Sequence, residues 1–297
     1  MASSQRMIRG IDMSHPWKPQ AVVLGTDLTA TSGVVAGTAI EIARRLDVEL
    51  CILHVFQYLI HHRYRMPVSW MLEEVRRDIN AKLRRLKKRA EDSQCSASTK
   101  VIESEDPAGS LLKESARFER AILVLGTHAR DPIERFFLGS VAEQVLRTTR
   151  FPVITVGPHV KRRFGMGNDQ LMFATDLTER SLEPIPLLAA LMTPSTHLTV
   201  VHVTESVLET DARAAMDTVR ARMALYLPDQ AMKHQVKWKV IHSSEVTKAL
   251  IEAATEDKAE LLIMGMHRSG ELNAHLPLKT GFQIIIGAPC AVLSVCS

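Results

Sequence analysis

Residues Leu125 to Arg147 read LGTHARDPIERFFLGSVAEQVLR, and this stretch decides the class of fold. An apolar run, Ala121 to Leu125, stops at Gly126; after an irregular polar stretch, Gly139-Ser140 opens the helical pattern VAEQVLR. A strand that runs through a loop into a helix is the repeating unit of α/β proteins. It is also a physical recipe for holding an anion. The first N–H groups of a helix have no intrahelical partner, and the helix dipole adds positive potential there. Gly126 and Gly139 would remove side chains where a ligand approaches the backbone. On spacing alone the same glycines also fit an ordinary βα turn.

Outward from this stretch, the chain does one thing twice. AVVLGTDLT (Ala21 to Thr29) recurs as LMFATDLT (Leu171 to Thr178), and ELCILHV (Glu49 to Val55) as HLTVVHV (His197 to Val203). AILVLGTHAR (Ala121 to Arg130) recurs as ELLIMGMHR (Glu260 to Arg268), and FPVITV (Phe151 to Val156) as APCAVLSV (Ala288 to Val295). The offset is 149 residues at Asp27 and Asp176 and 139 at Gly126 and Gly265, so the chain is a duplication. The spacing predicts a flexible tail over residues 1–19, a first domain over 20–157, a glycine-rich basic linker over 158–169 and a second domain over 170–297. Near-continuous Val, Ile and Leu runs alternate with helical patterns, which implies parallel sheets covered on both faces. The first half should hold helices near Ser32 to Leu46, Val68 to Asp92, Ala108 to Phe118 and Ser140 to Thr149.

Composition excludes several classes. Of the 297 residues, 46% are apolar and 24% charged, as in globular domains. The net charge of +4 and pI near 8.9 are too mild to imply nucleic acid, and 5% aromatics argue against a base-stacking platform. No apolar run approaches about eighteen residues, so no membrane span is expected. The N-terminal stretch lacks the apolar core of a signal peptide, and a cytoplasmic protein is expected. Cys51, Cys95, Cys290 and Cys296 form no C-x-x-C pattern and read as free thiols. The histidines His61, His62, His128, His267 and His275 lack tetrahedral-site spacing, so no structural metal is expected; His54 and His202 read as satisfied core histidines. The second helix is strongly basic, with Arg76, Arg77, Lys82, Arg84, Arg85, Lys87, Lys88 and Arg89 beside the apolar series Leu72, Val75, Ile79, Leu83, Leu86 and Ala90. It reads first as a solvated face over an apolar stripe and second as a polyanion-docking surface.

In open parallel sheets, ligands bind beyond the carboxyl ends of the strands where the strand order reverses. Asp27 and Gly126 would share that crevice. At these residues the chain resembles the universal stress protein family in its tandem two-domain form. The family's motif of Gly, two residues, Gly, nine residues and Gly followed by Ser or Thr is matched from Gly126 to Gly139-Ser140, with Ala129 in place of the second glycine. Thr26-Asp27-Leu28-Thr29 and His54-Val55 match two further motifs. The resemblance implies two tandem doubly wound α/β domains of five parallel strands, of the adenine nucleotide α-hydrolase-like kind, related by a pseudo-twofold axis. It implies an adenine nucleotide, ATP with or without Mg, held by Thr26, Asp27, Val55, Gly126, His128, Ala129, Gly139 and Ser140. Alanine at a position needing positive φ costs on the order of 1 kcal/mol, so Ala129 would weaken that site. It also implies that the two halves pair through Val153–Val156 and Ala291–Val295; a homodimer of whole chains is compatible with the sequence but not specified by it.

The second half keeps Thr175, Asp176, Thr178, His202 and Val203. Arg268 and Lys279-Thr280 replace the later glycine positions, and one nucleotide per chain, in the first half, is expected. Asp131 and Glu134 lie in the first loop, but no catalytic base or constellation can be named. A nucleotide-binding regulatory protein in the stress response is therefore the first function class. A slow ATP hydrolase or phosphoryl-transfer enzyme, and a ligand-free interaction scaffold, are the alternatives.

Overall fold

The structure is a computed structural model that describes residues 18–29, 32–56, 69–127, 138–160, 164–165, 167, 169–205, 209–266 and 278–296. The first half runs β1 (Ala21–Gly25), α1 (Ser32–Leu46), β2 (Glu49–Phe56), α2 (Ser69–Asp92), β3 (Ala97–Glu103), α3 (Pro107–Ser115), β4 (Ala121–Gly126), α4 (Ser140–Thr148) and β5 (Val153–Val156). The second runs β6 (Gln170–Ala174), a 3₁₀ turn (Arg180–Leu182), α5 (Ile185–Leu191), β7 (His197–Thr204), α6 (Glu209–Ala224) and α7 (Asp229–His234). It continues through β8 (Val236–His242), α8 (Val246–Glu256), β9 (Leu261–Met266), α9 (Leu278–Gly287) and β10 (Ala291–Cys296).

The ten strands among the described residues form one sheet in the order β3-β2-β1-β4-β5-β10-β9-β6-β7-β8. Pairing is parallel within each half. It is antiparallel only at the seam, where Val292, Leu293 and Ser294 face Thr155, Ile154 and Val153. Because the seam reverses direction, the carboxyl ends of the two halves face opposite edges of the sheet. In each half the order reverses beside the first strand, between β1 and β4 and between β6 and β9. Those are the places where a doubly wound sheet opens a crevice.

The apolar residues fill two layers. One lies under α1, α2, α5 and α6 and includes Ile42, Leu83, Leu188 and Met223. The other lies under α3, α4, α8 and α9 and includes Leu111, Val145, Leu250 and Ile284. Ile154 and Leu293 belong to the first layer, Val153 and Val292 to the second, so both layers run unbroken across the seam. The first helix ends at a left-handed residue. Asp47 (φ 52°) follows α1, and the amide of Val48 returns to the Ala43 carbonyl at 3.0 Å. The cysteines are free; Cys95, Cys290 and Cys296 are buried, and burial pushes the Cys290 thiol up to about 12.

One sequence expectation changes here. On α2, Ile79, Leu83 and Ala90 are buried, but Val75 is 45% exposed. The helix has 24 residues and β3 only 7, about 36 Å against about 23 Å, so its first turns overhang the sheet. The described residues between the halves pack against both of them. Phe164 is 1% exposed and lies beneath the guanidinium of Arg45, 4.3 Å from ring centroid to Cζ. The amide of Gly165 donates to Glu260 Oε2 at 2.9 Å, and Asp169 is 7% exposed.

Arg45, near the end of α1, is the centre of this clasp. It pairs with Asp169 Oδ1 at 2.6 Å and Glu41 Oε1 at 3.0 Å, and donates to the Leu191 carbonyl at the end of α5 at 3.2 Å. The hydroxyls of Thr196 and Thr193 donate to Asp169 Oδ2 at 2.5 and 2.8 Å. Burial alone would raise the pKa of Asp169. The hydrogen bonds from Thr196, Arg45 and Thr193, with the charge of Arg45, outweigh it and hold the carboxyl below its ordinary value. A buried carboxylate thus ties the first helix of one half to the first strand of the other.

Candidate functional site

Gly25, the last residue of β1, pairs with Leu53 on one side and Leu125 on the other. Thr26 therefore leaves the sheet in the row of His54 and Gly126, with Asp27 and Val55 one residue beyond. The amide of Thr26 still bonds the Leu53 carbonyl at 3.0 Å. His54 is 8% exposed, and its Nδ1 lies 2.7 Å from the Thr26 carbonyl. A carbonyl only accepts, so Nδ1 carries the proton. The histidine pins the turn after β1 rather than facing a ligand.

That turn is over-determined. Leu28 has φ 59°, a left-handed conformation that costs a leucine on the order of 1 kcal/mol. It is held by its own amide donating to Thr26 Oγ1 at 3.1 Å. Thr29 donates to Asp27 Oδ1 twice, from its amide at 3.1 Å and its hydroxyl at 2.8 Å. The Asp27 carboxylate is exposed and its orientation is set by its neighbour. The repeated Thr-Asp-Leu-Thr text was the available signal for Leu28 and Thr29, but their roles belong to the turn geometry.

On the adjacent strand, the amide of Thr127 donates to the Val156 carbonyl at 3.1 Å, and the amide of Gly139 donates to the Thr127 carbonyl at 3.3 Å. This last bond seats the start of α4 directly at the end of β4. Gly139 is the N-cap of α4 and has no side chain with which to satisfy the first-turn N–H groups, and Ser140 is exposed beside it. A Cβ on Gly126 would meet Val35 Cγ2 of α1 at 3.2 Å, so close packing of α1 is a second reason for the glycine.

Of the expected site residues, Thr26, Asp27, Gly126, Gly139 and Ser140 come together at the carboxyl ends of β1 and β4, with Val55 at the end of β2. His128 and Ala129 lie outside the described residues, as do Asp131, Glu134, His61, His62, His267, Arg268 and His275. Among the described residues no group of three or more His, Cys, Asp or Glu is placed to hold a metal ion, and no helix is long and apolar enough to cross a membrane.

The second half repeats the turn almost atom for atom. Leu177 has φ 69° and its amide donates to Thr175 Oγ1 at 3.0 Å. Thr178 donates to Asp176 Oδ1 from amide and hydroxyl at 3.0 and 2.6 Å, and His202 Nδ1 lies 3.0 Å from the Thr175 carbonyl. The halves diverge immediately after the turn. Ser181, in the 3₁₀ turn, is 2% exposed; its Oγ donates to the Thr178 carbonyl at 2.8 Å and lies 2.7 Å from Thr175 Oγ1. The backbone of this turn sits on β9, since a Cβ on Gly265 would lie 2.9 Å from Ser181 Cα and 3.0 Å from the Arg180 carbonyl oxygen. Asp176 and Thr178 are half-buried where Asp27 and Thr29 are exposed. The side chain of Lys279 lies outside the described residues.

Strand order, crevice and internal repeat define a tandem doubly wound α/β protein. The universal stress protein family model matches residues 19–157 and 168–295, and the chain belongs to that family. It is similar to a universal stress protein of Methanocaldococcus jannaschii, 29% identical over 137 residues that make up 46% of this chain and 80% of that protein. A universal stress protein from Archaeoglobus fulgidus DSM 4304 shares the fold with a TM-score of 0.67 at 20% identity, over 93% of this chain and 96% of that one. A functionally unknown protein from Pseudomonas aeruginosa PAO1 shares it with a TM-score of 0.58 at 15% identity, over 94% and 92%.

Proposed function

We propose that this universal stress protein is a cytoplasmic adenine-nucleotide-binding regulator of the stress response, taking one ATP per chain in the first-half crevice. The supporting observation is the seating of α4 by the Thr127–Gly139 bond. It sets uncapped helix N–H groups at the strand ends that also carry Asp27. N–H groups and helix dipole suit the phosphates, with the Ser140 hydroxyl as a further donor. The exposed, pre-oriented Asp27 carboxylate suits hydroxyls of the sugar, and the end of β2 at Val55 suits the base. Any Mg²⁺ would travel with the phosphates. The second crevice is a poorer acceptor, because the backbone of the 3₁₀ turn lies close over Gly265 and Asp176 is half-buried. Within one chain, the seam between β5 and β10 would do the work of a dimer contact.

Binding without fast turnover is expected, since no catalytic base can be named from the sequence. Calorimetric titration with ATP and Mg²⁺ should give one site. Asp27→Ala should remove it and Asp176→Ala should leave it intact. Two equivalent sites, no binding, or rapid phosphate release lost in Asp27→Ala would overturn the proposal.

A further inference from the structure

We infer that the outward face of α2 is a docking site for a short acidic segment of a partner protein. Five of the eight cations between Arg76 and Arg89 are engaged within the molecule. Arg76 pairs with Glu103 at 3.0 Å, Lys82 with Asp78 at 2.8 Å and Lys87 with Glu91 at 3.7 Å. Arg77 donates to the Glu73 carbonyl at 3.3 Å and Arg89 to the Gly33 carbonyl at 2.8 Å. Arg84, Arg85 and Lys88 have no partner among the described residues; all three are exposed and lie within about one turn of each other. At about 100° per residue they point away from the buried stripe of Ile79, Leu83 and Ala90, and Arg77 stands on the same outward line.

The corresponding helix of the second half treats its cations differently. On α6, Arg220 stacks over the Trp238 ring at 4.8 Å and pairs with Asp217 at 3.2 Å, while Arg222 pairs with Glu179. The arginines of α6 whose side chains are described are thus engaged within the molecule, unlike Arg84, Arg85 and Lys88 of α2.

The ends of the stripe decide the class of partner. Glu73 and Glu74 lie on the outward side one turn before Arg77, and Glu91 and Asp92 one turn after Lys88, all exposed. Asp78, exposed and paired with Lys82, bounds the basic stretch on the near side as well, so the face reads acidic, basic, acidic, with a basic window about 9 Å long from Lys82 to Lys88. A nucleic-acid backbone or an anionic bilayer laid along the helix would extend past that window and meet carboxylates at both ends. No aromatic residue is present from Glu73 to Asp92 to stack on a base. A compact acidic patch, one or two helical turns of Glu or Asp, meets the guanidinium forks of Arg84 and Arg85 and avoids the flanks.

The test uses the full chain and a fluorescent 16-residue helical peptide with glutamates at i, i+4 spacing, followed by anisotropy at low salt. The wild type should bind, and R84E/R85E/K88E should lower affinity at least tenfold with an unchanged far-UV spectrum and melting curve. A triple reversal elsewhere, K233E/K237E/K258E, should have less than a threefold effect. Failure of the wild type to bind, or equal losses in both triple variants, would overturn the inference. So would tighter capture of single-stranded RNA or phosphatidylserine vesicles through the same three cations.

Discussion

Replacing Arg45 with methionine isolates the clasp between the halves. Methionine keeps an unbranched apolar stem against Phe164 and removes the guanidinium. The loss comprises the 2.6 Å pair with Asp169, the 3.0 Å pair with Glu41, the 3.2 Å bond to the Leu191 carbonyl and the cation–π contact at 4.3 Å. Asp169 would then be a buried carboxylate with only the two threonine hydroxyls and solvent to compensate it. Breaking a buried pair from one side typically costs about 3–5 kcal/mol, because the remaining charge is left uncompensated. With the two hydroxyls retained, the lower figure, about 3 kcal/mol, is expected at pH 7. Urea unfolding followed by circular dichroism measures it. The sign with pH is fixed by Asp169, whose folded pKa lies below its unfolded one. Its contribution is present above the unfolded value, near 3.9, and lost as pH falls through the folded value, so the gap between wild type and variant should close in acid. Asp169→Asn should also destabilise, and the double variant should cost clearly less than the two single changes together. A cost below about 1 kcal/mol for Arg45→Met, or strict additivity in the cycle, would refute a coupled buried pair.

The two crevice glycines should separate in cost. Gly126→Ala meets only a valine methyl at 3.2 Å and should lose about 1 kcal/mol, whereas Gly265→Ala meets backbone at 2.9 and 3.0 Å and should lose more, about 2–3 kcal/mol, in the same urea assay. The reverse order would show that the 3₁₀ turn yields easily. At the seam, Ser294 Oγ is buried with no hydrogen-bond partner among the described residues. Ser294→Ala should therefore be neutral or raise stability by up to about 1 kcal/mol, and a clear loss of stability would reveal a partner for that hydroxyl.

The repeated text made the fold legible because strand and helix periods are local properties. Ala21 to Gly25 and Ala121 to Gly126 announce themselves as buried strands without knowledge of their neighbours. The crevice was partly legible for a related reason. Asp27, Gly126 and Gly139-Ser140 stand where strands stop and a helix starts, and the strand-order rule for parallel sheets converts those stops into one place. The tight turn could not be read, since the positive φ of Leu28 and the paired donors of Thr29 depend on backbone geometry.

Short-range pattern was enough for the duplication, the α/β class and the strand ends where a ligand could sit. Contacts between distant residues needed the folded chain. Arg45 and Asp169 are 124 positions apart, and nothing in either neighbourhood predicts that one guanidinium neutralises that carboxylate. Val35 of α1 lies 3.2 Å from where a Cβ on Gly126 would stand, a packing reason for that glycine that no local pattern announces. The two Thr-Asp-Leu-Thr turns are the same as text and nearly the same as geometry. They differ because the backbone after the second folds over Gly265, and steric exclusion of that kind exists only once both segments occupy the same few ångströms.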